Sequence, residues 1–280
     1  MPAILVTSRA NPRVKQLRAA FAGHARLSGG LVAIEGENLL REALRCGLPL
    51  KAIFLSDRID PPTWLPRSVE LLTLPQDVFE SAVDTQHPQG VAALLVPPTW
   101  NMESALPASG PSGSRTPLLL IAAALQDPGN LGTLIRSAEA FGATAVLTTA
   151  GTVSEWNQKA LRASAGSVFR VPAVSVTTAE IAHLKSRGLR LFAAVADDLS
   201  NVPSNPNALP ATGASLTQPC ALMIGNEGAG LSADLLALAD ARITIPTPGR
   251  VESLNAAVAG SLLLYEASRQ RAASQMRTGN

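Results

Sequence analysis

The sequence predicts an α/β protein in two parts, and three observations carry that prediction. Short apolar runs alternate with segments of helical periodicity along most of the chain. Several runs, such as PLLLIAAAL at 117–125, are apolar throughout, as strands covered on both faces must be. Residues 98–116, PTWNMESALPASGPSGSRT, are instead rich in Pro, Gly and Ser and read as a linker. The expected organisation is a small α/β domain over 1–97, a linker over 98–116, and a larger domain over 117–280. The larger domain should hold a mostly parallel sheet with helices on both faces.

The elements follow in order. NPRVKQLRAAFAG (11–23) is an amphipathic helix, LVAIEG (31–36) a strand, and ENLLREALRCG (37–47) a helix closed by Gly47. LKAIFLS (50–56) is a strand, PQDVFESAVD (75–84) a short helix, and GVAALLVP (90–97) a strand. Beyond the linker the strands are 117–125, 144–149, 170–176, 190–196, 220–225 and 241–246. Helices are expected at 131–142, 157–166, 178–188, 232–240 and 253–272. Residues 197–219, rich in Pro, Asn and Ser, interrupt the alternation and read as an insertion.

Composition removes several classes. With 46% hydrophobic and 16% charged residues, the chain of 280 can bury a sizeable core and is not extensively disordered. No apolar run approaches the length of a bilayer span, and MPAILVTSRANPRVK lacks a signal-peptide layout, so a cytoplasmic protein is expected. Cys46 and Cys220 are far apart and form no motif, so neither a disulfide framework nor a metal site is expected. The net charge of +2 decides little, but its distribution says more. Residues 1–26 hold Arg9, Arg13, Lys15, Arg18 and Arg26 and no Asp or Glu, a composition suited to a phosphate backbone. A second basic set, Lys159, Arg162 and Arg170 around Trp156, suits an RNA contact. For both sets, a solvated surface is the alternative.

Ligands of open α/β sheets gather beyond the carboxyl ends of the strands, and three loops fit that place. The first, QDPGNLGTLIRSAEAFGA (126–143), turns tightly through Asp127–Asn130, and Asn130 is the expected helix cap. Gly132 lies one turn before Arg136, which leaves room for an anionic group at the guanidinium. The second, ALMIGNEGAGLS (221–232), ends a strand in a glycine-rich turn, and Ser232 opens a helix. Glycines at 225, 228 and 230 match neither G-x-G-x-x-G nor a P-loop, and the Glu227 carboxylate repels phosphate. A neutral or cationic ligand is expected there. The third, ITIPTPGRVESLNAAVAGSLLLYEA (243–267), places Ser253 as the expected cap of a long helix with small residues in its early turns. No G-x-S-x-G occurs, and none of the three histidines, His24, His87 and His183, lies near these loops in sequence, so a hydrolase is disfavoured.

Together, in this order, the loops resemble the SpoU (TrmH-like) branch of the SPOUT RNA methyltransferases. The resemblance rests on NLGTLIR with Asn130, Gly132 and Arg136, on MIGNEGAGLS with Gly225, Glu227 and Gly228, and on IPTPGRVESLNAAVA with Ile245, Pro246, Ser253, Leu254 and Asn255. It covers residues 117–270. KALRASAGSVFRVP resembles the family's basic loop, with one departure: Gln158 stands where relatives often have proline. NPRVKQLR and LVAIEGENLLREAL resemble the family's accessory RNA-binding domain. The resemblance implies S-adenosylmethionine as cofactor, a C-terminal trefoil knot, a homodimer, and methylation of a ribose 2′-hydroxyl. Gly225, Ile245 and Leu254, with Asn226 and Gly228 of the glycine turn, would bind the cofactor. Arg136, Asn130, Glu227, Ser253 and Asn255 would form the catalytic set. Arg9, Arg13, Lys15, Lys159 and Arg162 would meet RNA. Ribosomal RNA is the expected substrate; a transfer RNA, or a non-catalytic RNA-binding role on the same fold, is the alternative.

Overall fold

The computed structural model describes residues 3–23, 30–106, 116–196 and 208–278. The expected positions Arg26 and His24, part of the linker and the first half of the 197–219 insertion lie outside the described residues. The chain divides into two compact units, Met1–Thr99 with Trp156–Phe169, and Trp100–Glu155 with Arg170–Asn280.

The first unit is a five-stranded mixed sheet. Its strands are β1 (Ile4–Leu5), β2 (Val32–Glu35), β3 (Leu50–Ser56), β4 (Glu70–Leu74) and β5 (Val91–Leu95), in the order β1-β4-β3-β5-β2. Helix α1 (Pro12–Phe21) is started by Asn11, whose side chain accepts from the Arg13 N–H, and by Pro12 at its first position. Val14, Leu17 and Phe21 form its buried stripe. Helix α2 (Glu37–Arg45) follows Gly36, whose φ of 95° places it where a Cβ would come within 2.7 Å of Gln89 Oε1. Buried Glu35 accepts from Thr85 Oγ1 at 2.6 Å and from the Gln89 N–H at 3.1 Å, fixing the loop before β5. Helix α3 (Gln76–Glu80) completes the unit's first stretch.

Residues 156–169, expected inside the second domain, pack with the first. Helix α4 (Met102–Ala105) and helix α5 (Pro128–Ala140) belong to the second unit; the next helix, α6 (Gln158–Ser164), returns to the first. Gln158 contributes one bond to this packing. Its buried side-chain amide donates to Ala33 O at 2.8 Å, on the edge strand β2. The residue that departs from the family pattern thus covers an otherwise open strand edge. Trp156 stacks on Phe169 with centroids 6.3 Å apart, which closes the neck of the excursion. Gly166, at φ 88°, lies where a Cβ would approach Glu42 Cβ to 2.8 Å.

The second unit is a seven-stranded parallel sheet. Its strands are β6 (Leu118–Ala122), β7 (Ala145–Thr148), β8 (Ala173–Ser175), β9 (Arg190–Ala194), β10 (Leu209–Pro210), β11 (Cys220–Ile224) and β12 (Ala241–Thr244). They lie in the order β10-β12-β9-β11-β6-β7-β8. Helices α7 (Thr178–Ser186), α8 (Ala233–Leu238) and α9 (Ala256–Thr278) complete it. Strands β6 and β11 are buried at every position, as their continuous apolarity requires. Gly260 of α9 brings that helix onto α5: a Cβ there would lie 2.4 Å from Leu134 Cδ2. Ser137 and Ser261 share a hydrogen bond of 2.7 Å across the same contact.

Two expected soft segments are partly built into this unit. Asn101 caps α4 with a reciprocal Ser104 bond, and Ala105 and Leu106 enter the core beside Leu119 and Val174. The end of the insertion pairs Leu209–Pro210 with β12. Gln270 holds it by accepting from Leu216 N at 2.9 Å, and Arg271 donates to the carbonyls of Thr116, Pro117, Leu216 and Gln218.

Candidate active site

The three loops meet at the carboxyl end of the parallel sheet. Local chemistry differs from the sequence expectation at two caps. The α5 cap is Asp127, which accepts from Asn130 N at 2.9 Å, so Asn130 sits in the first helical turn with its side chain spare. Helix α9 begins at Ala256, and its cap is Asn255 in place of Ser253. Asn255 Oδ1 accepts from Ala257 N at 2.9 Å and Val258 N at 3.2 Å. Ser232 caps α8 as expected, accepting from Leu235 N.

These corrections fix the polarity of a hydrogen-bonded line. Asn255 spends its oxygen on the helix, so its amide Nδ2 faces outward and donates to Asn130 Oδ1 at 3.1 Å. Asn130 must then turn its own Nδ2 the other way, where it donates to Glu227 Oε1 at 2.8 Å. One residue from each loop therefore forms the chain Asn255–Asn130–Glu227. Burial pushes the Glu227 carboxyl up, but the Asn130 bond and the backbone N–H groups of Glu227, Gln126 and Asp127 outweigh it and hold it below the usual value. Glu227 is thus an anion across the neutral range.

The turn carrying Glu227 is itself tightly made. Asn226 and Gly230 exchange two backbone bonds of 3.0 Å, and Asn226 Oδ1 accepts from Gly228 N and Ala229 N. A Cβ on Gly225 would lie 2.2 Å from Gly230 C and 2.4 Å from Leu231 N. Backbone atoms cannot move aside, so only glycine fits at 225.

A cleft opens on one side of this turn. Gly225, Asn226, Glu227, Gly228, Ile245, Ser253 and Leu254 all line it, with Ala194 and Val195 from the end of β9. The β9 residues carried no motif and were missed; their place beside β11 in the sheet is the only signal. Ala256 and Ala259 also line the cleft, while Gly260 and Ala257 serve helix packing. Among the described residues its charged lining is Glu227 and Glu252, with no Lys or Arg. Such a lining suits a cationic ligand with an apolar body and repels phosphate. Arg136 stands exposed on α5 and makes no hydrogen bond or ion pair among the described residues. No group of three or more His, Cys, Asp or Glu side chains among the described residues could hold a metal ion.

The basic arm looks different in three dimensions. Arg9 pairs with Asp77 at 2.9 Å and Arg13 with Glu70 at 2.8 Å, while Arg18 donates to Ser81 O at 2.8 Å. Lys15, Lys159 and Arg162 are exposed. Around α6, Trp156 stacks on Phe169 and Arg170 pairs with Glu139.

Comparison with known proteins agrees with this architecture. Residues 117–265 match the SpoU rRNA methylase family, and residues 11–93 match an MRM3-like substrate binding domain. The chain is 32% identical to the 23S rRNA (guanosine(2553)-2′-O)-methyltransferase RlmP of Bacillus subtilis, over 93% of this chain and 97% of the relative. The AdoMet-bound rRNA methyltransferase of Sinorhizobium meliloti superposes with a TM-score of 0.79 at 27% identity, covering 95% of this chain and 98% of the other. The SpoU methyltransferase AviRb of Streptomyces viridochromogenes, in complex with AdoMet, gives a TM-score of 0.78 at 27% identity, covering 94% and 98%. With a family match over more than half its length, the chain belongs to the SpoU rRNA methylase family.

Proposed function

We propose that this protein transfers a methyl group from S-adenosylmethionine to a ribose 2′-hydroxyl of 23S ribosomal RNA. It is an RNA 2′-O-methyltransferase of the SpoU family, and S-adenosylmethionine is that family's cofactor. The observation that carries the reading is the line Asn255–Asn130–Glu227, which ties three loops together beside a cleft with two carboxylates and no cation.

The cleft suits the cofactor. Ile245 and Leu254 offer apolar surface to the adenine, and Gly225, Asn226 and Gly228 offer backbone at a position where no side chain fits. When bound, the cofactor supplies a methyl group activated by a sulfonium charge. This chain's residues must hold the ribose in line with that methyl, and positioning is the largest contribution expected of them. We assign Asn130 and Asn255 to orienting the ribose and Arg136, and Ser253 to shaping the loop over the cleft. We assign Arg136 to holding a phosphate and stabilising the emerging alkoxide, which the fixed donor fork of a guanidinium suits, rather than to acting as base. Glu227, held below the ordinary carboxylate range, is a weak proton acceptor at neutral pH and anchors Asn130 and the turn. Arg9, Arg13, Lys15, Lys159 and Arg162 are assigned to the RNA backbone.

We also infer a cytoplasmic homodimer, a metal-free reaction and the deep trefoil knot of SPOUT proteins. Among the described residues no helix is long and apolar enough to cross a membrane. The dimer reading is supported by one face of α9, where Val258, Leu262 and Tyr265 are 48%, 43% and 52% exposed. Leu262→Glu should give a monomer in sedimentation velocity; an unshifted dimer removes this face from the interface.

The deciding experiment maps 2′-O-methyl groups in total RNA from cells with and without the gene. One 23S position should lose its methyl, and the Arg136→Ala protein should bind S-adenosylmethionine in calorimetry yet fail to restore it. Loss confined to a transfer RNA moves the substrate there. No lost methyl, or collapse of cofactor binding in Arg136→Ala, overturns the assignment.

A further inference from the structure

The turn 225–231 is a wall with two sides. The cofactor cleft lies on one. On the other is a second cavity at the carboxyl ends of β6, β7 and β8, and Asn226 and Gly230 line both. We propose that this second cavity receives a base of the RNA substrate next to the acceptor ribose, and that Gln126 reads its edge. The inference rests on the methyltransferase reading above.

Three observations carry it. The first is chemical. None of the residues lining the cavity is charged; the polar ones include Gln126, Thr149, Ser175, Thr177 and Asn226. A phosphate finds no cation there and an ammonium no carboxylate. A nucleobase is neutral, apolar on its faces and studded with donors and acceptors at its edge, which matches this lining. The second is location. Gln126 directly precedes Asp127, the α5 cap, and its backbone N–H bonds Glu227, so the cavity begins one hydrogen bond from the catalytic line. A ligand here and a ligand in the cleft share one thin wall.

The third is construction. Ala124, on the cavity floor, is a non-glycine residue at φ 53°, in the left-handed region. Side chains hold both of its backbone groups. Its N–H donates to Thr149 Oγ1 at 3.1 Å, and its carbonyl accepts from Asn226 Nδ2 at 2.9 Å. Gly151, at φ 84°, lies where a Cβ would sit 3.4 Å from Ala124 Cβ. Backbone held in a sparsely populated region by its surroundings clusters at ligand sites. Ala124 holds Asn226 of the shared wall and at the same time forms the fixed floor that a pocket for a splayed-out base requires. Gln126, exposed and outside the bonded set, is placed to pair with a base edge.

The test uses the full chain and a short 23S fragment containing the methylated position. Ala150→Trp adds bulk at the exposed rim of the cavity. It should leave S-adenosylmethionine affinity within twofold by calorimetry and raise KM for RNA at least tenfold. Gln126→Ala should narrow the difference in kcat/KM between fragments that differ only in one base, at or beside the acceptor position. Photo-crosslinking of the unaltered protein to a fragment carrying a thiobase at or beside that position should label residues 123–126, 149–150 or 175–178. An unchanged KM in Ala150→Trp, or crosslinks confined to other segments, overturns the inference. If the unaltered protein methylates no RNA, the methyltransferase reading itself has failed, a result distinct from either.

Discussion

The glycine turn at 225–231 and the basic arm at 9–18 are both short, polar and on the surface, but they are held in opposite ways. In the turn, Asn226 and Gly230 bond each other, Asn226 caps two further N–H groups, and the absent Cβ of Gly225 lets the strand end touch the returning chain. The bonds that close its backbone join neighbours in sequence, while Asn226 Nδ2 and Glu227 also reach Ala124 and Asn130 of the first loop. In the arm, the partners of Arg9 and Arg13 are Asp77 and Glu70, more than fifty residues away. A stretch without acids in sequence is therefore not free of them in space. A turn's chemistry is local and a charge cluster's is not.

The largest break in that comparison is Gly225→Ala. The nearest atoms to the new methyl are backbone of Gly230 and Leu231, so the turn must open. Affinity for S-adenosylmethionine should fall at least 100-fold, about 2.7 kcal/mol, while the circular dichroism spectrum stays that of an α/β protein. Near-normal affinity would mean that the turn does not shape the cofactor cleft.

Next in size is the line between the loops. Asn130→Asp sets a carboxylate against Glu227, where 2.8 Å now separates donor from acceptor. Methylation should drop roughly 10- to 100-fold, the loss of about 1.4–2.8 kcal/mol expected from breaking a charge-assisted bond and opposing like charges. The double change Asn130→Asp with Glu227→Gln reverses the polarity: the carboxylate now at position 130 accepts from Asn255 and from the new amide at position 227. Rates should recover most of the loss. A double variant no better than Asn130→Asp alone would show that the Glu227 carboxylate has a role beyond holding Asn130.

The arm gives smaller effects of both signs. Exposed ion pairs are worth about 0–1 kcal/mol, so RNA phosphates can displace Asp77 and Glu70. Arg13→Ala with Lys15→Ala should weaken RNA binding a few-fold, with a salt slope shallower by about one to two ions. Asp77→Asn releases Arg9 and should tighten binding about two- to threefold. If neither variant changes the salt slope, the arm lies outside the interface.

How much of this was readable follows the same division. The strands of the parallel sheet other than β10, which lies in the expected insertion, and the three loops were legible, because continuous apolarity and glycine spacing report local constraints. Strands β1 and β4 were not: Ile4–Leu5 is two residues long, and ELLTL reads as strand only beside β3. The caps were misplaced by a few residues, since Asp127 and Asn130, or Ser253 and Asn255, are equally good candidates until the first helical turn is fixed. That residues 156–169 pack with the first unit was illegible, because the partner of Gln158 is a backbone carbonyl at Ala33. Covering a strand edge leaves no periodicity in the covering segment.

The smallest effect expected is the dependence of stability on pH, and its sign follows from Glu227. Burial raises its carboxyl, but the bonds from Asn130 and the backbone N–H groups of Glu227, Gln126 and Asp127 leave it below its ordinary value, about 4.3. A group depressed in the folded protein contributes fully above its unfolded pKa and loses that contribution as pH falls through the folded value. Stability against unfolding from this group should therefore be flat from about pH 8 to pH 5 and decline only on further acidification, read as the melting temperature against pH. Glu227→Gln should flatten that acid limb, because its amide oxygen still accepts from Asn130 and does not titrate. A midpoint between about pH 6 and 7 would require a different group, since no depressed carboxylate titrates there, and the turn would then be sensing pH through something other than its own acid.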